Sequence, residues 1–163
     1  MFKSADEALR WSAQVKSAGI FKLSSINKLC CKRDRGTTNQ LLSGLSQEDR
    51  HLQANNIYSA VINLDDEISS QYLQFKYYRV GDITWLNSRV CEHIETNEDF
   101  KLIILAYLGV RSATARLVKR DLKCGFSKAT TFRKKVYEAM DAIHHAAIDQ
   151  IEQKLKEKEI VDV

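Results

Sequence analysis

The placement of glycine and the lack of proline constrain the fold of this chain more than any other sequence feature. No proline occurs, and the six glycines fall between segments whose apolar residues recur every three or four positions. Because glycine and proline are the residues least compatible with a helix interior, this placement is typical of helices separated by turns. Apolar residues do not alternate with polar ones over any long run, as half-buried strands would require. The sequence therefore predicts an all-α protein, in the form of a helical bundle.

Residues 1–96 are predicted to form an N-terminal helical region. Ser4 and Glu7 have the spacing of a capping box, and the helix that they start extends to Gly19. A second, short helix is expected at residues 20–31. It is followed by an exposed basic loop at residues 32–39, which contains no apolar side chain.

Two further helix starts are predicted in this region. Ser46 and the acidic residues after it are typical of a cap and first turn. From Gln53 the apolar spacing of three and four predicts one long helix that ends near Gly81, with residues 65–67 on its polar face. Asp82 is the expected cap of the next helix.

Residues 97–163 are predicted to form a helix-turn-helix module with an extended C-terminal helix. Its three helices are expected at residues 99–108, at residues 112–124 and from Ser127 onward. Gly109 and Gly125 mark the two breaks. Gly125 can take the left-handed conformation that ends a helix, and Ser127 can cap the helix that follows.

Positive charge is concentrated in this module. Residues 111–135 contain nine basic residues and one acidic residue, Asp121, which gives an excess of eight positive charges. The whole chain carries only +4, so the remainder is net negative by four. This asymmetry favours a polyanionic partner, although a solvated face of a helical bundle is the alternative interpretation.

The third helix is predicted to have an apolar side and a polar side. Phe132, Val136, Met140 and Ile143 recur at helical spacing and face a core, while the basic residues of the first two turns face outward. A recognition helix meets base edges in its first turns, whereas an adjoining helix contacts phosphates. The candidate DNA-binding residues are Arg111, Arg116, Lys119, Arg120, Lys123, Ser127, Lys128, Thr130, Thr131, Arg133 and Lys134.

Metal, cofactor, membrane and catalytic functions are not expected. The adjacent Cys30 and Cys31 lack zinc-finger spacing, and Cys91 with His93 supplies only two ligands. No glycine loop for phosphates, nucleophile elbow or metal-binding helix pair is found, so the protein is not expected to be an enzyme. Four cysteines without a secretory leader predict reduced thiols in the cytoplasm, and no apolar run approaches the length of a membrane span.

Two segments of the module are similar to segments of a known DNA-binding motif. They are Phe-Lys-Leu-Ile-Ile-Leu-Ala-Tyr-Leu-Gly at residues 100–109 and Gly-Phe-Ser-Lys-Ala-Thr-Thr-Phe-Arg-Lys-Lys-Val at residues 125–136. Together with the basic helix between them, they resemble the helix-turn-helix of sigma-factor region 4 and its relatives. The chain is also similar to the lambdoid-phage late-gene antiterminators of the Q type. That similarity lies in its size, in Leu9-Arg10-Trp11 and in the Cys30-Cys31 pair.

This resemblance implies a regulator in the cytoplasm of a bacterial host cell. Such a protein binds double-stranded DNA near a late promoter and engages paused RNA polymerase, which then reads through terminators. The groove-facing residues would be Thr130, Thr131, Arg133 and Lys134, and the phosphate-binding residues would be Arg116, Lys119, Arg120 and Lys123.

A function of another class stays open. The long C-terminal helix and the apolar stripe from Ile57 to Phe75 are also typical of a helical partner-binding or assembly protein without sequence-specific DNA binding. In that case the basic face would meet an acidic protein. Whether the working unit is a monomer or a homodimer also stays open.

Overall fold

The structure, a computed structural model, describes residues 2–20 and 45–161. Seven α-helices lie in these ranges: α1 Ala5–Ile20, α2 Gln47–Ile62, α3 Glu67–Leu73, α4 Ile83–Ile94, α5 Lys101–Tyr107, α6 Ala115–Asp121 and α7 Phe126–Glu157. A π-helical turn, Gln74–Tyr78, continues α3. Within the described ranges, the β pairing consists of one isolated bridge between Phe2 and Val161, and there is no strand. The predicted all-α class is confirmed.

Several predictions concern residues that the structure does not describe. The short helix and the basic loop expected between residues 20 and 39 lie outside the described residues, apart from Ile20, which ends α1. The Cys30-Cys31 pair lies outside them as well.

Side-chain caps set the starts of three helices as the sequence predicts. Ser4, Ser46 and Asp82 each accept a hydrogen bond from a backbone amide in the first turn, over 3.3, 3.1 and 2.7 Å respectively. The first-turn amides of a helix have no partner within the helix, so each cap stabilises its helix by about 1 kcal/mol.

The long helix predicted from Gln53 to near Gly81 was wrong, because the chain breaks at residues 63–66. The carboxylate of Asp66 accepts hydrogen bonds from the amides of Ile68 and Ser69 at 3.2 and 3.0 Å, which makes Asp66 the N-cap of α3. Aspartate favours such a cap over a helix interior because its short side chain competes for backbone amides. Residues 65–67 therefore belong to a helix start and not to the polar face of one long helix.

The chain divides into two compact units, of which the first comprises Met1–Asn63 and Ile151–Val163. In this unit α1 packs against α2, and Leu9 and Ile57 are fully buried. The rings of Phe2 and Trp11 lie 5.3 Å apart, and the Phe2 amide donates a 3.0 Å hydrogen bond to the carbonyl of Ile160. The two ends of the described chain are thereby joined.

The second unit, Leu64–Gln150, contains α3 to α6 and most of α7. Its core includes Phe100, Ile104 and Val136, all with no exposed surface. Burial of one such side chain contributes about 2 kcal/mol to stability. The Phe100 amide donates a 2.8 Å hydrogen bond to Oδ1 of Asn87 on α4, so the start of α5 is tied to α4.

The domain division expected between residues 96 and 97 does not coincide with the division into compact units. That position lies inside the second unit, between α4 and α5, which pack against each other. In the described part of the chain, no helix combines the length and the apolar composition needed to cross a membrane.

Candidate nucleic-acid interface

Helix α6 carries the first group of predicted contacts, and it is shorter than the sequence suggested. The prediction of residues 112–124 was wrong at both ends, since α6 runs Ala115–Asp121. Thr114 starts the helix, because its hydroxyl oxygen accepts a 3.4 Å hydrogen bond from the Leu117 amide. The side chain of Val118 is fully buried and fixes the inner face of α6.

The residue with a positive φ in the turn after α6 is not the predicted glycine. Lys123 adopts the left-handed conformation with φ +48°, and the amide of Cys124 donates a 3.2 Å hydrogen bond to the carbonyl of Lys119. This six-to-one bond around a left-handed residue ends the helix in a Schellman motif. The prediction that Gly125 takes the left-handed conformation was therefore wrong, whereas Gly109, in the preceding turn, does take it with φ +71°.

The outward face of α6 is cationic. Arg116, Lys119 and Arg120 are exposed, and Val118 is buried on the other face. Arg111 before the helix and Lys123 after it are exposed as well. We refer to these five residues as the α6 cations. Within the described ranges, none of the five forms an ion pair with a carboxylate.

Helix α7 begins at Phe126, one residue earlier than predicted. Its first helical hydrogen bond runs from the Ala129 amide to the Gly125 carbonyl, at 2.9 Å, so Gly125 occupies the N-cap position. The prediction that Ser127 caps this helix was wrong, because Ser127 lies inside the first turn. A Cβ atom on Gly125 would meet no other atom within 4 Å, so the surface around this residue is open.

Aromatic contacts within the second unit fix the position of α7. The ring of Phe132 lies 5.2 Å from that of Phe100, and the ring of Tyr137 meets that of Tyr107 edge-on at 5.4 Å. The Tyr107 hydroxyl donates a 2.6 Å hydrogen bond to Asp141. Burial, and then this hydrogen bond, raise the pKa of Tyr107 well above its usual range, so Tyr107 keeps its proton and the bond persists at neutral pH.

The polar side of α7 presents hydroxyl groups in its first turns. Ser127, Thr130 and Thr131 are exposed. The Thr130 hydroxyl donates to the Phe126 carbonyl at 3.0 Å, and the Thr131 hydroxyl donates to the Ser127 carbonyl at 3.1 Å. With their protons committed to the helix, these two hydroxyl oxygens can still accept a hydrogen bond from a ligand.

The three predicted cations of α7 differ from the α6 cations, because each has a partner within the second unit. The pairs are Lys128 with Glu98 at 3.7 Å, Lys134 with Glu138 at 3.7 Å, and Arg133 over the ring of Tyr137 at 5.3 Å. Lys128 and Lys134 are exposed, whereas Arg133 is half-buried. These side chains therefore lie on the surface, but each already contacts another residue of the protein.

An acidic segment lies beside one of these pairs. An open cavity of about 520 Å³, lined in part by Cys91 and Thr96, carries the carboxylates Glu92, Glu95, Glu98 and Asp99. Cys91 donates a 3.0 Å hydrogen bond to the Glu98 carbonyl, and burial, followed by the charge of Asp99, raises the pKa of its thiol. No group of three or more histidine, cysteine or acidic side chains suited to a metal ion occurs among the described residues. This segment repels a polyanion, so the charge of the second unit is divided between two regions.

All eleven predicted site residues lie in the second unit, and all are exposed except the half-buried Arg133. Two further residues of α7 are exposed: Lys135, which the sequence placed with the basic residues of the first two turns, and Phe126, which was not predicted as a contact. Phe126 continues the apolar spacing of Ala129 and Phe132, so the sequence pattern gave no signal of its exposure.

No protein-family model matches the sequence, and neither a curated protein nor a solved structure does so.

Proposed function

We propose that this protein binds double-stranded DNA, with the α6 cations on the phosphate backbone and the first turns of α7 in the major groove. The observation that supports this most is the set of five exposed cations with no ion-pair partner in the described part of the chain. A cation without an internal partner gives up no attraction when it meets a phosphate. Release of the counterions of DNA then favours binding.

The properties of α7 suit the role of a recognition helix. Its start carries three exposed hydroxyl side chains, Ser127, Thr130 and Thr131. The aromatic contacts of Phe132 and Tyr137 hold the helix from its inner side. Base readout requires side chains on a rigid element, because a small displacement loses a hydrogen bond. Phosphate contacts from α6 would set the register, and hydroxyls on α7 would sense the sequence.

The finer assignment rests on the resemblance to the Q-type antiterminators. We place the protein among transcription regulators of bacteriophage origin that act on RNA polymerase in the host cytoplasm. In this role it needs no cofactor and performs no catalysis. The DNA element recruits the protein, and polymerase is its second partner.

The alternative of a partner-binding or assembly protein loses one of its two motives. Ile57, Val61, Tyr72 and Leu73, within the stripe that suggested a free apolar face, are all buried. The other motive, the long C-terminal helix, remains, since α7 runs Phe126–Glu157. An acidic protein could then occupy the cationic surface.

Selection from a random pool of duplexes, followed by footprinting, tests the proposal. We expect the full chain to protect a discrete duplex in the presence of excess random-sequence DNA. We expect bacterial RNA polymerase to extend that footprint. Equal displacement by polyglutamate and by random DNA, without a discrete protected site, would contradict DNA recognition. A discrete site that polymerase leaves unchanged would retain DNA binding and contradict antitermination.

A further inference from the structure

The side chain that opens α7 is apolar and lies on the outside of the molecule. Phe126 is 56% exposed, and the residue before it, Gly125, has open space around it. In the part of the chain that the structure describes, the Phe126 ring has no aromatic or cation-π partner. Single exposed apolar residues are common, so exposure alone assigns no role.

The residues around Phe126 indicate what its exposed ring contacts. Two exposed cations, Lys123 and Lys128, flank it in sequence, and the exposed Ser127 and Thr130 share the first turns of α7. A ring within a cationic surface that binds DNA meets either sugar and phosphate or base edges. The major-groove edge of the base pairs carries a single type of apolar group, the C5-methyl of thymine.

Thr130 narrows the choice of base pair. Its hydroxyl proton is donated to the Phe126 carbonyl, so its oxygen can only accept a hydrogen bond from DNA. The major-groove donors are the amino groups of adenine and cytosine. Side chains four positions apart on a helix have Cβ atoms roughly 6 Å apart, so both can reach the edge of one base pair. An A·T pair alone offers both a methyl group and an amino donor there.

We infer that Phe126 contacts the C5-methyl of a thymine in the major groove, while Thr130 accepts a hydrogen bond from the amino group of the paired adenine. This inference rests on the proposed DNA binding and adds to it the base pair that the start of α7 reads. Phe126 is then a specificity-determining residue, because the other bases lack the methyl group that its ring covers.

The test replaces thymine by deoxyuridine, which removes only the methyl group. The full chain first selects its duplex from a random pool, and each thymine of that duplex is then replaced singly. We expect one replacement to weaken binding by the wild-type chain about fourfold, the amount for loss of one buried methyl contact. In Phe126→Ala the same replacement should have no effect, because the ring that covers the methyl is gone.

Two controls make the result specific. Val110→Ala shortens an exposed apolar side chain in the turn before α6, and we expect it to keep the fourfold discrimination. Circular dichroism of Phe126→Ala should match the wild type, since the ring is mostly exposed. If the wild type binds a discrete duplex but no thymine is sensitive, or if Phe126→Ala keeps the discrimination, the inference is overturned and DNA binding stands. If the wild type binds no duplex, both are overturned.

Discussion

Helices α6 and α7 both carry exposed positive charge, but the two sets of cations have different surroundings. The α6 cations form no ion pair within the described ranges, whereas Lys128, Arg133 and Lys134 on α7 contact Glu98, Tyr137 and Glu138. An unpaired cation can meet a phosphate without losing an internal partner, while a paired one must first give up its partner. A run of basic residues in the sequence is therefore not one uniform surface in the fold. We therefore assign most of the affinity to α6 and the sequence preference to the hydroxyl-bearing side of α7.

The largest effect is expected from charge reversal on α6. The double variant Arg116→Glu/Arg120→Glu places two anions where two unpaired cations lie, and we expect duplex affinity to fall more than about 100-fold at low salt. The measurement is a fluorescence anisotropy titration, with circular dichroism to check the helical content.

A matched control changes the same amount of charge elsewhere. Lys3→Glu/Lys158→Glu alters two exposed lysines of the first unit. We expect this variant to lose less than about tenfold in affinity, because net charge acts only at long range and salt screens it. Equal losses in the two double variants would mean that net charge, and not the α6 surface, controls binding.

Single neutralisations separate the contributions of α6 and α7 to duplex affinity. We expect Arg120→Gln to weaken duplex binding about tenfold and Lys134→Gln only about threefold. Lys134 must give up its contact to Glu138 when it binds DNA, and an exposed ion pair of this kind contributes up to about 1 kcal/mol. Titrations of both variants against the same duplex measure the ratio. A larger loss from Lys134→Gln would reverse our assignment of the affinity to α6.

The turns that precede α6 and α7 should differ in their tolerance of a side chain. Gly109 has φ +71°, so Gly109→Ala should lower the free energy of unfolding by about 1 kcal/mol. Gly125 does not have a positive φ and has open space around it, so Gly125→Ala should cost only the difference between glycine and alanine at an N-cap, about 0.5 kcal/mol. Urea denaturation of the two variants tests this. Equal destabilisation would mean that the turn before α7 is as constrained as the turn before α6.

The smallest change in duplex affinity is expected when one α7 cation loses its ion-pair partner. Glu98→Gln removes the carboxylate that lies 3.7 Å from Lys128, and we expect duplex affinity to rise about twofold to threefold. Glu152→Gln is the control, because Glu152 pairs with Lys156 in the first unit and the net charge changes equally. An equal rise in both variants would show that the pairing of Lys128 is irrelevant to binding.

Most of the described helices could be read from the sequence because they are amphipathic or begin with a cap that a local pattern reveals. Helix limits were less predictable. The apolar spacing continues through Val61, Leu64 and Ile68, all near or in the core, although the backbone breaks between them. Only the preference of Asp66 for a cap position signalled the break. Lys123 shows a second difficulty, since nothing in its sequence indicates a left-handed lysine where a glycine follows two residues later.

The charge of the site could be predicted from the sequence, but the ion pairs that its cations form could not. Exposure of the basic residues follows from their spacing around Val118 and Val136, which are both buried. The contact between Lys128 and Glu98 joins residues that are thirty positions apart in the sequence, so it depends on how the chain folds. The role of the site in DNA binding stays a prediction.

The salt dependence of duplex binding reports how many α6 cations contact phosphates. With all five α6 cations on phosphates, the slope of the logarithm of the association constant against the logarithm of salt concentration should be about −4 to −5. Arg116→Gln/Arg120→Gln should make that slope shallower by about two, because each lost phosphate contact removes about one. A slope near zero for the wild type, or an unchanged slope in the double variant, would contradict the assignment of phosphate binding to α6.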